Sequence, residues 1–339
     1  QLVHGGDWAG YRAQYGQDAL DFSANVSPLG LPEGVAKAIT AALATADRYP
    51  DPLCRTLRAK LAVHETVPAA HILCGNGAAD LIFRLVWAAK PRTALLPAPT
   101  FAEYAAALET AGCTIRRHFL RESEDFSVTE TFISAVDEDT DMVFLCQPNN
   151  PTGRTTPRPL LDRILARCQR IGARLVIDEC FNEFLDDPAA HTMKGRLGGC
   201  ENLLILNAFT KIYAMAGLRL GWCACSDEAL LARMAKAGPP WAVSGPAQAA
   251  GLAALALTDY PAQVRALVQA QRPRLAQGLA RLGLTVYPGE ANYLLLHSPH
   301  PGLAAAMRGQ GVLIRDCANY PGLSPGYYRV AVRTGEEND

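Results

Sequence analysis

MVFLCQPNNPTG, residues 142–153, decides the fold. Met142 to Cys146 are apolar without interruption and read as a short strand buried on both faces. The run stops at Gln147 and enters a turn of Pro, Asn and Gly. On either side of it, the same kind of run recurs at HILC (71–74), TALLP (93–97), RLVID (174–178), NLLIL (202–206) and GWCAC (221–225). Amphipathic stretches at 78–90, 102–111, 157–171 and 226–237 separate them and read as helices. Such alternation predicts an α/β protein with a mainly parallel sheet between helices. A helical pattern from about 246 to 282 comes next, then NYLLL (292–296), a short helix and YYRVAV (327–332), which predict a smaller α+β domain. The Pro-rich GPPWAVSGP (238–246) marks the boundary between the blocks. The expected division is a large domain over 45–235 and a small one from 1–44 with 236–339.

Composition narrows the functional classes. The 339 residues carry Lys+Arg 32 against Asp+Glu 33, a formal charge of −1, with 49% hydrophobic residues. That balance argues for a folded core and against a broad electrostatic grip on nucleic acid or an anionic membrane. No apolar run reaches the roughly 18 residues of a membrane span. The first sixteen residues have no basic start followed by an apolar stretch, so no secretion signal is expected. Ten cysteines form no CxxC pair, and the seven His show no ligand spacing near them. Reduced core thiols in a cytoplasmic protein, with no metal site, are the expectation.

The residues just beyond each strand are chemically informative. HILC leads to Gly75-Asn76-Gly77-Ala78, RLVID ends on Asp178, and NLLIL leads to Asn207-Ala208-Phe209-Thr210-Lys211. In open α/β sheets, ligands bind beyond the carboxyl ends of strands. Gly77 and Ala78 open a helix whose free amides suit a phosphate, although a GxG alone is also an ordinary tight turn. Asp178, costly if buried alone, reads as half of a structural salt bridge or as the partner of a protonated ring nitrogen. Lys211 reads as a surface charge, or as a desolvated amine able to form a Schiff base with a carbonyl. Arg219 reads as a surface ion pair or as a phosphate ligand. Taken together, an anion-binding helix start, an acid, an amide and a buried lysine describe a pyridoxal 5'-phosphate site.

The spacing of Asn150-Pro151-Thr152-Gly153, Asp178-Glu179, Lys211 and Gly217-Leu218-Arg219-Leu220-Gly221 resembles the fold-type-I aminotransferase superfamily. Within it, the chain resembles the histidinol-phosphate aminotransferases and, more closely, the L-threonine-O-3-phosphate decarboxylases of cobalamin biosynthesis. The subgroup residues are His4-Gly5-Gly6, Asp21-Phe22-Ser23-Ala24-Asn25, Arg48-Tyr49-Pro50-Asp51 and the C-terminal run Leu313 to Leu323 with Tyr327-Tyr328-Arg329. The resemblance implies that Lys211 joins the cofactor, Asp178 pairs with its pyridine nitrogen and Asn150 bonds its phenolic oxygen. Gly77, Ala78, Thr210 and Arg219 would surround the cofactor phosphate, and Phe101 would stack on the ring. Tyr49 would reach the phosphate in a neighbouring subunit, which implies a homodimer with shared active sites. Arg329 would grip the carboxylate of a small phosphorylated amino-acid substrate. Arg315 and His4 would hold its phosphate.

Three departures stand out. Ala208 replaces a phosphate-binding Ser usual three residues before the lysine. Phe181 replaces the Tyr usual in the aminotransferase branch, which favours the decarboxylases. The resemblance also implies a terminal helix beyond Asp339, so the smaller domain is expected to be less covered on one face. Decarboxylation of L-threonine O-3-phosphate is the activity implied, with a histidinol-phosphate-type aminotransferase as the alternative. A cofactor-binding regulatory domain is the non-enzymatic rival, and no helix-turn-helix or basic patch supports it.

Overall fold

In a computed structural model, which describes residues 4–339, thirteen strands form three sheets. In chain order they are β1 (Leu20–Asp21), β2 (Ile72–Gly75), β3 (Thr93–Ala98), β4 (Thr114–Phe119), β5 (Met142–Cys146), β6 (Arg174–Asp178) and β7 (Leu203–Ala208). They continue with β8 (Gly221–Cys225), β9 (Thr285–Val286), β10 (Tyr293–His297), β11 (Val312–Leu313), β12 (Arg315–Asp316) and β13 (Tyr327–Ala331). The central sheet has seven strands in the order β2-β8-β7-β6-β5-β3-β4. A four-stranded antiparallel sheet, β12-β13-β10-β9, belongs to the smaller part. β1 pairs with β11 in parallel and ties the N-terminal segment to it.

The unbroken apolar runs result from burial on both faces. Alternate residues point to opposite sides of a strand. Leu95, Val143, Leu145, Ile177 and Ile205 enter one core, and Leu96, Phe144, Cys146, Val176 and Leu204 enter the other. The flanking helices are amphipathic for the same reason. The helix Arg158–Ile171 buries Leu160, Leu161, Ile164, Leu165 and Cys168, one face at helical spacing, and stops at Gly172 with φ of 75°. All ten cysteines are free thiols, and nine are buried.

Three features differ from the sequence expectation. β8 runs antiparallel to both β2 and β7, so the central sheet is mixed. β4 is an additional strand. Its sequence, TIRRHF, is polar because it is an edge strand paired with β3 alone and largely half-exposed. The helical stretch 246–282 is two helices, Gly245–Ala254 and Tyr260–Arg281. Pro261 stands at the start of the second helix. It lacks an amide hydrogen, so it suits the first turn of a helix, where that hydrogen would have no partner. The last described helix, Gly335–Asn338, packs on Tyr260–Arg281.

Candidate active site

The carboxyl ends of β2, β5, β6 and β7 lie on one edge of the central sheet, and so does the start of β8. Gly75 at the end of β2 pairs with Gly221 at the start of β8. The reversal of β8 is therefore what brings Arg219, two residues before it, to the same edge. Two glycines make this approach possible. Gly77 has φ of +81°, and a Cβ there would lie 2.6 Å from Arg219 Nη2. A Cβ on Gly221 would lie 2.6 Å from the Ala78 amide nitrogen. Only glycine fits both places. The helix Gly77–Ala89 begins here, and the Asn76 side chain does not cap it. Its first amides, with the Arg219 guanidinium alongside, form a cradle for an anion.

Next to this cradle, Ala78, Phe101, Asn150, Asp178, Thr210, Lys211 and Arg219 line one cavity together with Ala208 and Phe181. Asp178 is 3% exposed. Its Oδ2 accepts from the Tyr104 hydroxyl at 2.7 Å, and its Oδ1 from the Cys180 amide at 3.0 Å. Burial and the adjacent Asp178 push the Tyr104 pKa far up, so Tyr104 remains a donor. Lys211 is pulled the other way. Burial, with the positive charges of Arg329 and Arg219, lowers its pKa to about 8. Its Nζ lies 5.3 Å from the centre of the Phe181 ring. At neutral pH such an amine is far closer to its nucleophilic form than a surface lysine is.

The antiparallel sheet contributes no residue to the lining of this cavity but reaches it through the hydrogen bond of Arg329 to Asn150. Arg315 on β12 and Arg329 on β13 are directly paired across the strands, so both side chains leave the same face. Arg315 is 7% and Arg329 6% exposed. Arg329 donates to Asn150 Oδ1 and, at 2.7 Å, to the Ser23 carbonyl. Arg315 donates to Asn319 Oδ1 at 2.8 Å and to the Asp316 carbonyl. Each guanidinium lies over a tyrosine, Arg329 over Tyr293 at 5.6 Å and Arg315 over Tyr320 at 5.2 Å. Two like charges placed opposite each other and buried oppose folding.

The remaining candidates lie at the margins. His4 reaches Glu103 Oε1 at 2.5 Å, and its ring centre is 5.8 Å from that of Phe101. Tyr49 does not line the cavity of its own chain. It is 80% exposed and stacks on Trp241 with ring centres 4.6 Å apart. Sequence reasoning overlooked Tyr104, Asn149 and the Ser23 carbonyl as supports. Asn149 donates to the Pro99 carbonyl at 3.0 Å and accepts from Thr100 at 2.8 Å, which fixes the Asn150 turn against the end of β3.

This donor set fits pyridoxal 5'-phosphate. A cradle that a Cβ would fill suits its phosphate, a buried carboxylate suits a protonated pyridine, and a lysine of lowered basicity suits its aldehyde. Fold and site together define a pyridoxal-phosphate-dependent enzyme of fold type I.

Comparison with known proteins agrees. The family described as aminotransferase class I and II matches residues 17–339. The chain is 42% identical to the threonine-phosphate decarboxylase of Salmonella typhimurium over 94% of its length and 88% of that protein. It is 34% identical to the histidinol-phosphate aminotransferase of Symbiobacterium thermophilum, over 95% of this chain and 88% of the relative. The crystal structure of L-threonine-O-3-phosphate decarboxylase from Porphyromonas gingivalis superposes with a TM-score of 0.84 at 27% identity, covering 94% of this chain and 96% of that one. The chain belongs to the aminotransferase class I and II family.

Proposed function

We propose that the protein decarboxylates L-threonine O-3-phosphate to (R)-1-amino-2-propanol O-2-phosphate for cobalamin biosynthesis. The observation that carries this reading is the buried pair Arg315 and Arg329, opposite each other on one sheet face, with Arg329 close enough to Lys211 to lower its pKa. Two fixed cations suit a substrate with a carboxylate at one end and a phosphate at the other. The 42% identity to a threonine-phosphate decarboxylase supports the choice of reaction.

Residues 45–235 would hold the cofactor, and residues 1–44 with 236–339 would hold the substrate. Gly77, Ala78, Thr210 and Arg219 would bind the cofactor phosphate, with Asp178 at the pyridine nitrogen and Phe101 on the ring. Bound pyridoxal phosphate supplies an electron sink conjugated with the substrate's Cα. Arg329 binds the carboxylate, and its bonds to Asn150 and Ser23 stop it from following the substrate. Because Arg329 occupies Asn150 Oδ1, the amide Nδ2 of Asn150 is the donor left for the phenolic oxygen. Arg315 and His4 bind the substrate phosphate. Holding both ends would restrict rotation about Cα and so favour cleavage of the Cα–carboxylate bond. Lys211, with a pKa of about 8, holds a proton that it can deliver to Cα after carbon dioxide leaves.

We extend the reading to a cytoplasmic homodimer. The outward Tyr49 lies in an exposed apolar region with Leu53 at 50% and Trp241 at 43% exposure, suited to a second copy.

The test compares threonine phosphate with free threonine in a carbon dioxide release assay, on wild type and Arg315→Ala. Wild type should strongly prefer the phosphorylated substrate, and the variant should lose at least tenfold of that preference. A variant as selective as wild type would remove Arg315 from the phosphate clamp. Rapid amino transfer from glutamate without carbon dioxide release would replace this reading by the aminotransferase.

A further inference from the structure

The turn that presents the Gly77 and Ala78 amides is itself supported from below. Asp80, one turn into the helix, folds back so that its Oδ2 accepts from the Asn76 amide at 2.9 Å. The same carboxylate receives Arg84 Nε at 2.9 and 3.0 Å. Arg84, 6% exposed, continues the chain of contacts. Its Nη1 donates to the Ala235 carbonyl at 3.2 Å, and its Nη2 to the Pro239 carbonyl at 3.1 Å.

The glycines at either end of this relay are shaped to it. A Cβ on Gly75 would lie 2.7 Å from Leu81 Cγ and 2.8 Å from Asp80 Oδ2, and one on Gly238 would lie within 2.6 Å of the Arg84 guanidinium. The G-x-G of this turn thus has two separate causes. Gly75 makes room for Leu81 and Asp80, and Gly77 makes room for Arg219.

We propose that Asp80 is a positioning residue for the cofactor phosphate, an assignment that rests on the pyridoxal-phosphate reading of the cavity. Asp80 occupies the Asn76 amide and so leaves the next two amides, Gly77 and Ala78, aimed at the anion. A carboxylate near a helix start would by itself repel a phosphate. Arg84 balances that charge, and the 235–239 backbone holds Arg84 in place.

The experiment titrates full-length apoenzyme with pyridoxal 5'-phosphate and with pyridoxal, which lacks the phosphate. Wild type should bind the phosphorylated form much more tightly. Asp80→Ala should weaken pyridoxal 5'-phosphate binding at least tenfold and change pyridoxal binding less than twofold. Asp80→Asn keeps an acceptor for the Asn76 amide and should fall between the two. If Asp80→Ala does not fold, at least a threefold loss in Asp80→Asn confined to the phosphorylated form supports the assignment. Equal weakening of both ligands, the mark of a purely structural role, would overturn it, as would no change in either. A wild type that did not distinguish the two ligands would refute the phosphate cradle itself, and the assignment with it.

Discussion

Burial and two neighbouring guanidiniums hold Lys211 at a pKa of about 8, against 10.5 for a free lysine. The unfolded chain therefore binds this proton more tightly than the folded one. Below pH 8 both states are protonated, and the folded state bears the whole cost of the buried charge. Between pH 8 and 10.5 the folded state gives up the proton first, so stability rises with pH. Lys211→Met should remove that slope. The apo-variant should be more stable than apo-wild type at pH 7, by on the order of 1–3 kcal/mol, with the gap shrinking toward pH 10.5. Urea unfolding at several pH values measures it, and a constant gap would contradict the shift. The same variant should lack both turnover and the visible absorbance of cofactor-loaded enzyme. At this scale, much of the site was legible. Lys211, Asp178 and Asn150 stand at or just beyond the ends of apolar runs, where a sheet edge gathers its ligands. Tyr104 and Asn149 were not, because each acts through a partner some 50 to 74 residues away.

The turn from β2 into the helix Gly77–Ala89 shows how an element builds a site. Its geometry separates glycines that look alike in sequence. Gly77→Ala would force a side chain into φ of +81° and displace Arg219. It should cost about 1 kcal/mol or more of stability and weaken cofactor retention. Gly217→Ala meets nothing within 4 Å and should leave both near wild type. Thermal unfolding and dialysis against cofactor-free buffer would separate the two variants. Equal effects would mean that Arg219 does not depend on Gly77. Strands and helices buried on one or two faces were readable from periodicity. The direction of β8 was not, because an apolar run carries no sign for parallel or antiparallel pairing. β4 escaped notice because an edge strand need not be apolar. The helix break at Pro261 was readable in principle, since Asp259 and Pro261 mark a new start.

Across the whole molecule, the N-terminal segment joins the smaller sheet to the Lys211 backbone. β1 pairs with β11, the Phe22 carbonyl accepts from Ala331, the Ser23 carbonyl accepts from Arg329, and the Ser27 amide donates to the Lys211 carbonyl. Arg329 and the lysine backbone are thus tied to one strap. Tyr49, stacked on Trp241, remains at the surface, where the proposed second copy would meet it. Sedimentation should give twice the 36.4 kDa mass of one chain, and a monomer active at assay concentration would contradict shared sites. In the proposed reaction, two buried arginines direct bond cleavage to the carboxylate. L-threonine O-3-phosphate labelled with carbon-13 in the carboxyl group, with no keto acid present, tests this. One labelled carbon dioxide and one 1-amino-2-propanol phosphate should form for each substrate consumed. Loss of the amino group with the label retained in a phosphorylated keto acid would contradict it.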